Sequence, residues 1–111
     1  MEELKINAAD GQNGARVLRL EGPLTLRTIF DFQTTARQEG NAPMIIDLSG
    51  VPYMDSAGIG ALVGAYVTRQ KDGRSLGLVG VNQRIHNALE VTRVENFFRF
   101  YGTVAEAEQA A

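Results

Sequence analysis

The chain opens with alternating hydrophobic and polar positions, the pattern of half-buried β-strands. Leu4, Ile6 and Ala8 alternate with polar residues, and a second strand is predicted over residues 15–21. Asp-Gly and Asn-Gly pairs stand between the two segments and indicate a turn. The first two strands are therefore predicted to form a hairpin.

The rest of the chain alternates between helical and strand-like patterns. The predicted elements are a helix over 25–39, a buried strand over 44–48, a helix over 56–71, a strand over 76–81, a helix over 83–91 capped by Asn82, a short strand over 97–101 and a helix over 103–111. Such alternation implies crossover connections and parallel pairing. The predicted fold class is α/β, a single domain over 1–111 with a four- or five-stranded mixed sheet, an N-terminal β-hairpin and about four helices packed on it.

Apolar spacing predicts which side of the first helix faces the core. Leu26, Ile29, Phe30 and Ala36 fall on or near one face, and Gly40-Asn41 is expected to end this helix.

The helix over 56–71 has an unusual distribution of small residues. Its predicted core stripe is Ile59, Leu62, Val63, Tyr66 and Val67. The opposite side is predicted to carry Ala57, Ala61, Gly64, Ala65 and Thr68. A solvated face normally carries charged residues, so this one is interpreted as a surface on which a partner docks closely. The alternative is that a neighbouring helix of the same domain covers it.

Asp55 and Ser56 stand where the helix over 56–71 begins. Both residue types are typical of helix starts, so capping alone would explain them.

Composition narrows the chemistry available to the chain. Its 111 residues carry 11 basic and 13 acidic side chains, a net charge of −2 that indicates no direct binding of nucleic acid. Cysteine is absent and His86 is the single histidine, which excludes thiolate and multi-histidine metal centres, so no metal site or cofactor is predicted. Serine-hydrolase and phosphate-binding glycine motifs are also missing, so the chain is not expected to be an enzyme. The longest nearly apolar run, 59–67, is too short to span a bilayer, and a cytoplasmic location is expected.

The segment D-S-A-G-I-G at 55–60, preceded by the apolar strand M-I-I-D-L-S-G-V, resembles the phosphorylation segment of anti-sigma factor antagonists, the bacterial STAS domain. The resemblance extends from about residue 17 to the C-terminus. It implies a partner that is an anti-sigma factor and also a serine kinase of the histidine-kinase-like ATPase type. It further implies that Ser56 is the phosphorylated residue, that phosphorylation ends the complex, and that a phosphatase resets the cycle.

The residues expected to contact the partner come from the motif and from the small-residue face. They are Thr25, Asp55, Ser56, Ala57, Gly58, Ala61, Gly64, Ala65 and Thr68. Many phosphorylatable members carry aspartate where this chain has Thr25, a threonine that would also serve as a helix N-cap. That departure keeps two alternatives open: a STAS subunit of a lipid-transport ABC complex without phosphorylation, and a component of a stress-signalling scaffold.

Overall fold

The computed structural model describes residues 3–39, 42–74 and 76–110. The strands are β1 Lys5–Asp10, β2 Arg16–Glu21, β3 Met44–Gly50, β4 Leu76–Val79 and β5 Arg99–Tyr101. The helices are α1 Ile29–Gln38, α2 Ser56–Lys71, α3 Gln83–Val91 and α4 Val104–Ala110, with 3₁₀ turns at Gln12–Gly14 and Glu95–Phe97. The predicted stop at Gly40-Asn41 and the predicted helix end at Ala111 lie outside the described residues.

The five strands form one mixed sheet in the order β1-β2-β3-β4-β5. β1 and β2 pair antiparallel as the predicted hairpin, and each later strand pairs parallel with the one before it. The predicted α/β class and mixed sheet are confirmed, with five strands and four α-helices in the described part of the chain.

Helices cover both faces of the sheet. Successive side chains of a strand point to opposite sides, so each strand contributes residues to two cores. On one face Val17, Ile45 and Val79 pack with Ala107 of α4. The other face carries the larger core, which includes Leu18, Ile46, Leu78, Phe32 of α1, Leu62 of α2 and Leu89 of α3. Since β2 to β5 follow one another in a single direction, right-handed crossovers place α1, α2 and α3 on the same side.

The first helix differs from its prediction at its start and in its orientation. It begins at Ile29 rather than at residue 25. Phe32 is its fully buried side chain, whereas Leu26 and Phe30, both predicted to face the core, are 72% and 70% exposed. Ile29 and Ala36 pack against the core as predicted, whereas Leu26 precedes the helix and belongs to a separate turn.

Two parallel neighbours, β2 and β3, end at the same edge of the sheet. The loops that follow them therefore lie side by side. Among the described residues, none of the helices combines the length and the apolar composition needed to cross a membrane.

Candidate functional site

Backbone hydrogen bonds join the loop after β2 to the loop after β3. The N–H of Leu24 donates to the carbonyl of Tyr53 over 3.2 Å, and the N–H of Asp55 donates to the carbonyl of Leu24 over 3.3 Å. Leu24 and Met54 form a short parallel bridge and are both buried. The start of α2 is thus held against the segment that precedes α1.

The carboxylate of Asp55 joins the same two loops through its side chain. Oδ1 accepts a hydrogen bond from the N–H of Gly58 at 2.9 Å, which caps α2. Oδ2 accepts one from the N–H of Leu26 at 3.0 Å. Partial desolvation raises the pKa of Asp55, but these backbone donors outweigh it and hold that pKa below its usual value. Asp55 is therefore an ionised residue at neutral pH, and it both caps the helix and fixes the position of Leu26.

Gly58 is required where the two loops meet. A Cβ atom at this position would collide with the carbonyl oxygen of Leu24, which is fixed in the backbone. Gly60, two residues later on the same helix, has open space around its Cα. Gly58 was predicted to contact a partner, but it is buried and is needed for the close approach of the two loops.

Ser56 is the first residue of α2 and its side chain is exposed. No described residue forms a hydrogen bond with its hydroxyl group. The helix that it begins is 16 residues long, so the positive end of the helix dipole lies beside the hydroxyl. This geometry leaves the hydroxyl accessible to a phosphoryl donor.

Thr25 lies next to this site and is buried within a turn. Its N–H donates to the hydroxyl oxygen of Thr28 at 2.9 Å, and its own hydroxyl oxygen accepts from the N–H of Arg27 at 3.3 Å. Thr28 in turn donates to the carbonyl of Pro23. Thr25 was expected on the partner surface or as the N-cap of α1. It is only 8% exposed and stabilises the turn, while Thr28 occupies the N-cap position.

The small-residue face of α2 is only partly exposed. Gly64 and Thr68 are exposed, Ala57 and Ala65 are half-buried, and Ala61 is 5% exposed. On the predicted core stripe, Ile59 and Leu62 are buried but Val67 is 42% exposed. Compared with the predicted core stripe, the buried face of α2 is therefore rotated about the helix axis toward Ala61 by one residue step, roughly 100°.

The rotation follows from the packing of α1 beside α2. A groove of about 420 Å³ runs between the two helices, and Ala61, Gly64 and Phe32 are among the residues that line it. Arg69 of α2 is 4% exposed and donates to the carbonyl of Ala36 near the end of α1. Burial lowers the pKa of Arg69, which Glu39 and Asp72 partly offset. The alternative of a covering helix is thus right for Ala61, and docking on Gly64, Ala65 and Thr68 stays a prediction.

Two exposed apolar side chains, Leu26 and Phe30, were not predicted as surface residues. Leu26 is held by Asp55, and Phe30 lies four residues further along the chain. The spacing of Leu26 and Phe30 in the sequence is the same as that of core residues. Only the position of the turn before α1 distinguishes these two exposed residues from core residues.

Comparisons with known proteins place this geometry in context. The STAS domain model matches residues 8–107. An anti-sigma-B factor antagonist of Staphylococcus aureus is 29% identical over 82 residues, which cover 71% of this chain and 76% of the relative.

Two solved structures share the fold. An anti-sigma factor antagonist from Mycobacterium paratuberculosis has a TM-score of 0.84 and 22% identity, covering 96% of this chain and 92% of the other. SpoIIAA in its unphosphorylated form has a TM-score of 0.70 and 16% identity, covering 96% of each chain. The anti-sigma factor antagonists among these relatives are non-enzymatic regulatory proteins.

Proposed function

Because the chain belongs to the STAS domain family, we propose that it is an anti-sigma factor antagonist controlled by phosphorylation of Ser56. In this function the unphosphorylated domain binds an anti-sigma factor that is also a serine kinase of the histidine-kinase-like ATPase type. Binding releases a sigma factor, phosphorylation of Ser56 ends the complex, and a phosphatase restores the domain. Because the kinase uses ATP and the released factor acts on transcription, the cycle takes place in the cytoplasm.

The single observation that carries the proposal is the position of Ser56. It is exposed, it is the first residue of α2, and it directly follows the capping carboxylate of Asp55. A phosphoryl group at this hydroxyl adds about −1.5 to −2 charge units at neutral pH. The helix dipole favours an anion at this end, so the modified domain remains folded.

The same charge gives a physical reason for release of the partner. The carboxylate of Asp55 is ionised, so a phosphoryl group on Ser56 creates a concentrated negative patch. A partner surface that packs closely on α2 would have to desolvate both charges, which is costly unless it supplies matching cations. Phosphorylation therefore removes binding without a change of fold.

The surface around Ser56 suits a close protein contact. Leu26 provides an exposed apolar side chain beside the cap, and Gly60 and Gly64 leave open space along α2 where a partner backbone could approach. We assign the partner contact to this surface, defined by Leu26, Ser56, Gly60 and Gly64, and call it the Ser56 surface. This surface leaves out Thr25, Gly58 and Ala61, which were predicted to contact the partner but are buried.

A capture experiment in the native host tests the proposal. The Ser56→Ala variant is used as bait, because it keeps the surface but cannot be phosphorylated, and Ser56→Asp is the matched variant that adds charge. Mass spectrometry should identify a serine kinase of the histidine-kinase-like ATPase type with the Ser56→Ala bait and much less of it with Ser56→Asp. The purified kinase and ATP should then modify wild-type protein at Ser56 and leave Ser56→Ala unmodified.

Two results would contradict the proposal. Phosphate found on another residue, with none on Ser56, would refute the assignment of the site. Capture of the ATPase of a lipid transporter, with equal recovery by both baits, would support the ABC-complex alternative.

A further inference from the structure

A cluster of one histidine and two glutamates lies outside the Ser56 surface. His86 and Glu90 are four residues apart on α3 and therefore share a face of that helix. Glu95 belongs to the 3₁₀ turn that follows. One ligand atom from each side chain lies within 4.8 Å of the other two.

The backbone between the two elements brings Glu95 back toward the helix. Arg93, just after α3, has a φ angle of 62°, a left-handed conformation that reverses the chain direction. The N–H of Val94 then donates to the carbonyl of Leu89 over 3.0 Å. This reversal, rather than proximity in sequence, places the Glu95 carboxylate beside His86 and Glu90.

Local packing restrains the imidazole. The ring of His86 lies 5.2 Å from the ring of Phe100, centroid to centroid, at an interplanar angle of 45°. His86 and Glu95 are each half-buried, and Glu90 is exposed. The cluster thus has a restrained nitrogen ligand and one side open to water.

Within the described part of the chain, neither carboxylate of the cluster is paired with a cation. Within 3–39, 42–74 and 76–110, the ion pairs of the molecule involve Arg16 and Arg19, and neither the Glu90 nor the Glu95 carboxylate takes part in an ion pair or a hydrogen bond. Two carboxylates this close repel one another, and a divalent cation between them would neutralise the pair.

We infer that His86, Glu90 and Glu95 form a binding site for a divalent transition-metal ion of the zinc class. One imidazole nitrogen and two carboxylate oxygens are a ligand set that zinc accepts, with water in the remaining position. Zinc binds such atoms at about 2.0–2.2 Å, so the two glutamate side chains would rotate inward on binding. The absence of cysteine and of a second histidine excludes thiolate and multi-histidine centres but not this one. The bound ion would join α3 to the turn that precedes β5.

Zinc titration of tag-free protein tests this inference. Calorimetry should show saturable uptake of one equivalent of Zn²⁺, and the imidazole NMR signals should shift with the same saturation. Since His86 is the single histidine, those signals need no further assignment. Mutation of a residue that hydrogen-bonds to a metal ligand commonly weakens metal binding about 10–100-fold. Glu95→Gln removes a direct ligand, so it should weaken the binding of Zn²⁺ at least about tenfold.

Glu21→Gln is the matched control, since it removes one exposed carboxylate from β2, away from the cluster. It should leave the affinity for Zn²⁺ unchanged. The inference is overturned if uptake is not saturable, if the imidazole signals do not shift, or if Glu95→Gln and Glu21→Gln bind equally well. These readouts do not involve kinase or partner, so they are independent of the proposed function.

Discussion

The carboxylate of Asp55 accepts a hydrogen bond from the backbone N–H of Leu26, 29 residues earlier in the chain. The same carboxylate caps α2 through Gly58. Through this one side chain, the residue that precedes the proposed phosphorylation site also sets the position of an exposed leucine. A partner that binds at Ser56 therefore meets Leu26 at a fixed place.

Two glycines on α2 should respond in opposite ways to alanine. Gly60→Ala should stabilise the domain by up to about 1 kcal/mol, since helix propensity improves and the new methyl group enters open space. Gly58→Ala gains the same propensity but should destabilise the domain, because its methyl group would collide with the Leu24 carbonyl. Thermal unfolding should separate the variants by several degrees, at about 4 °C per kcal/mol. Equal melting temperatures would show that the two loops do not approach as closely as described.

Glutamate substitutions one turn apart should distinguish the covered part of α2 from its open part. Ala61→Glu should destabilise the domain by more than about 2 kcal/mol, because a charged side chain would be forced into the packing between α1 and α2. Gly64→Glu should keep or slightly raise the stability, since Gly64 is exposed. Urea denaturation measures both effects. If both variants unfold at the same urea concentration as wild type, α1 does not cover Ala61.

The cap of Asp55 predicts a loss of stability in acid. The pKa of Asp55 is lowered in the folded state, so its ionised carboxylate contributes to the free energy of unfolding. This contribution is present above the unfolded pKa of 3.8 and is lost as pH falls through the folded pKa. Asp55→Asn should therefore reduce the loss of unfolding free energy between about pH 5 and pH 3. Denaturation at a series of pH values gives this slope.

Asp31→Asn is the control for that measurement. Asp31 is exposed on α1, and among the described residues its carboxylate forms no ion pair or hydrogen bond. Asp55→Asn should reduce the slope more than this control does. A slope that Asp55→Asn leaves unchanged would mean that the carboxylate does not stabilise the folded state through its charge. Asp47 contributes to the acid dependence in the same direction. Burial raises the pKa of Asp47, but hydrogen bonds from Ser49 and Arg19 outweigh that effect and hold the pKa below its usual value.

Leu26 should contribute to partner binding and little to folding. Leu26→Ser should leave the unfolding free energy within about 0.5 kcal/mol of wild type, because the side chain is 72% exposed. It should weaken binding of the captured kinase about tenfold or more, because burial of a leucine side chain against the partner contributes about 1.5–3 kcal/mol and each 1.4 kcal/mol is a factor of about ten. Val91→Ser, at a residue 80% exposed at the end of α3, is the matched control and should bind normally. Calorimetric titration with the purified kinase compares the three proteins.

Local patterns in the sequence were enough to predict the order of the elements. Caps act within a few residues, so Asp55 and Asn82 predict where α2 and α3 begin, and both are confirmed by side-chain hydrogen bonds to Gly58 and Ile85. Thr103 accepts from the N–H of Glu106, whereas the Glu106 carboxylate accepts from Gly102.

By itself, the sequence determined the α/β class, the hairpin and a serine at the start of α2, because periodicity, turns and caps depend on neighbouring residues. Only the tertiary structure decided how each helix is rotated about its axis. Alanine and glycine bury too little apolar surface to orient α2 alone, at about 25 cal/mol per Å². The contact of α2 with α1, which buries Ala61 and Arg69, sets that rotation. The exposure of Leu26 likewise depends on a hydrogen bond to a residue 29 positions away, which no local pattern contains.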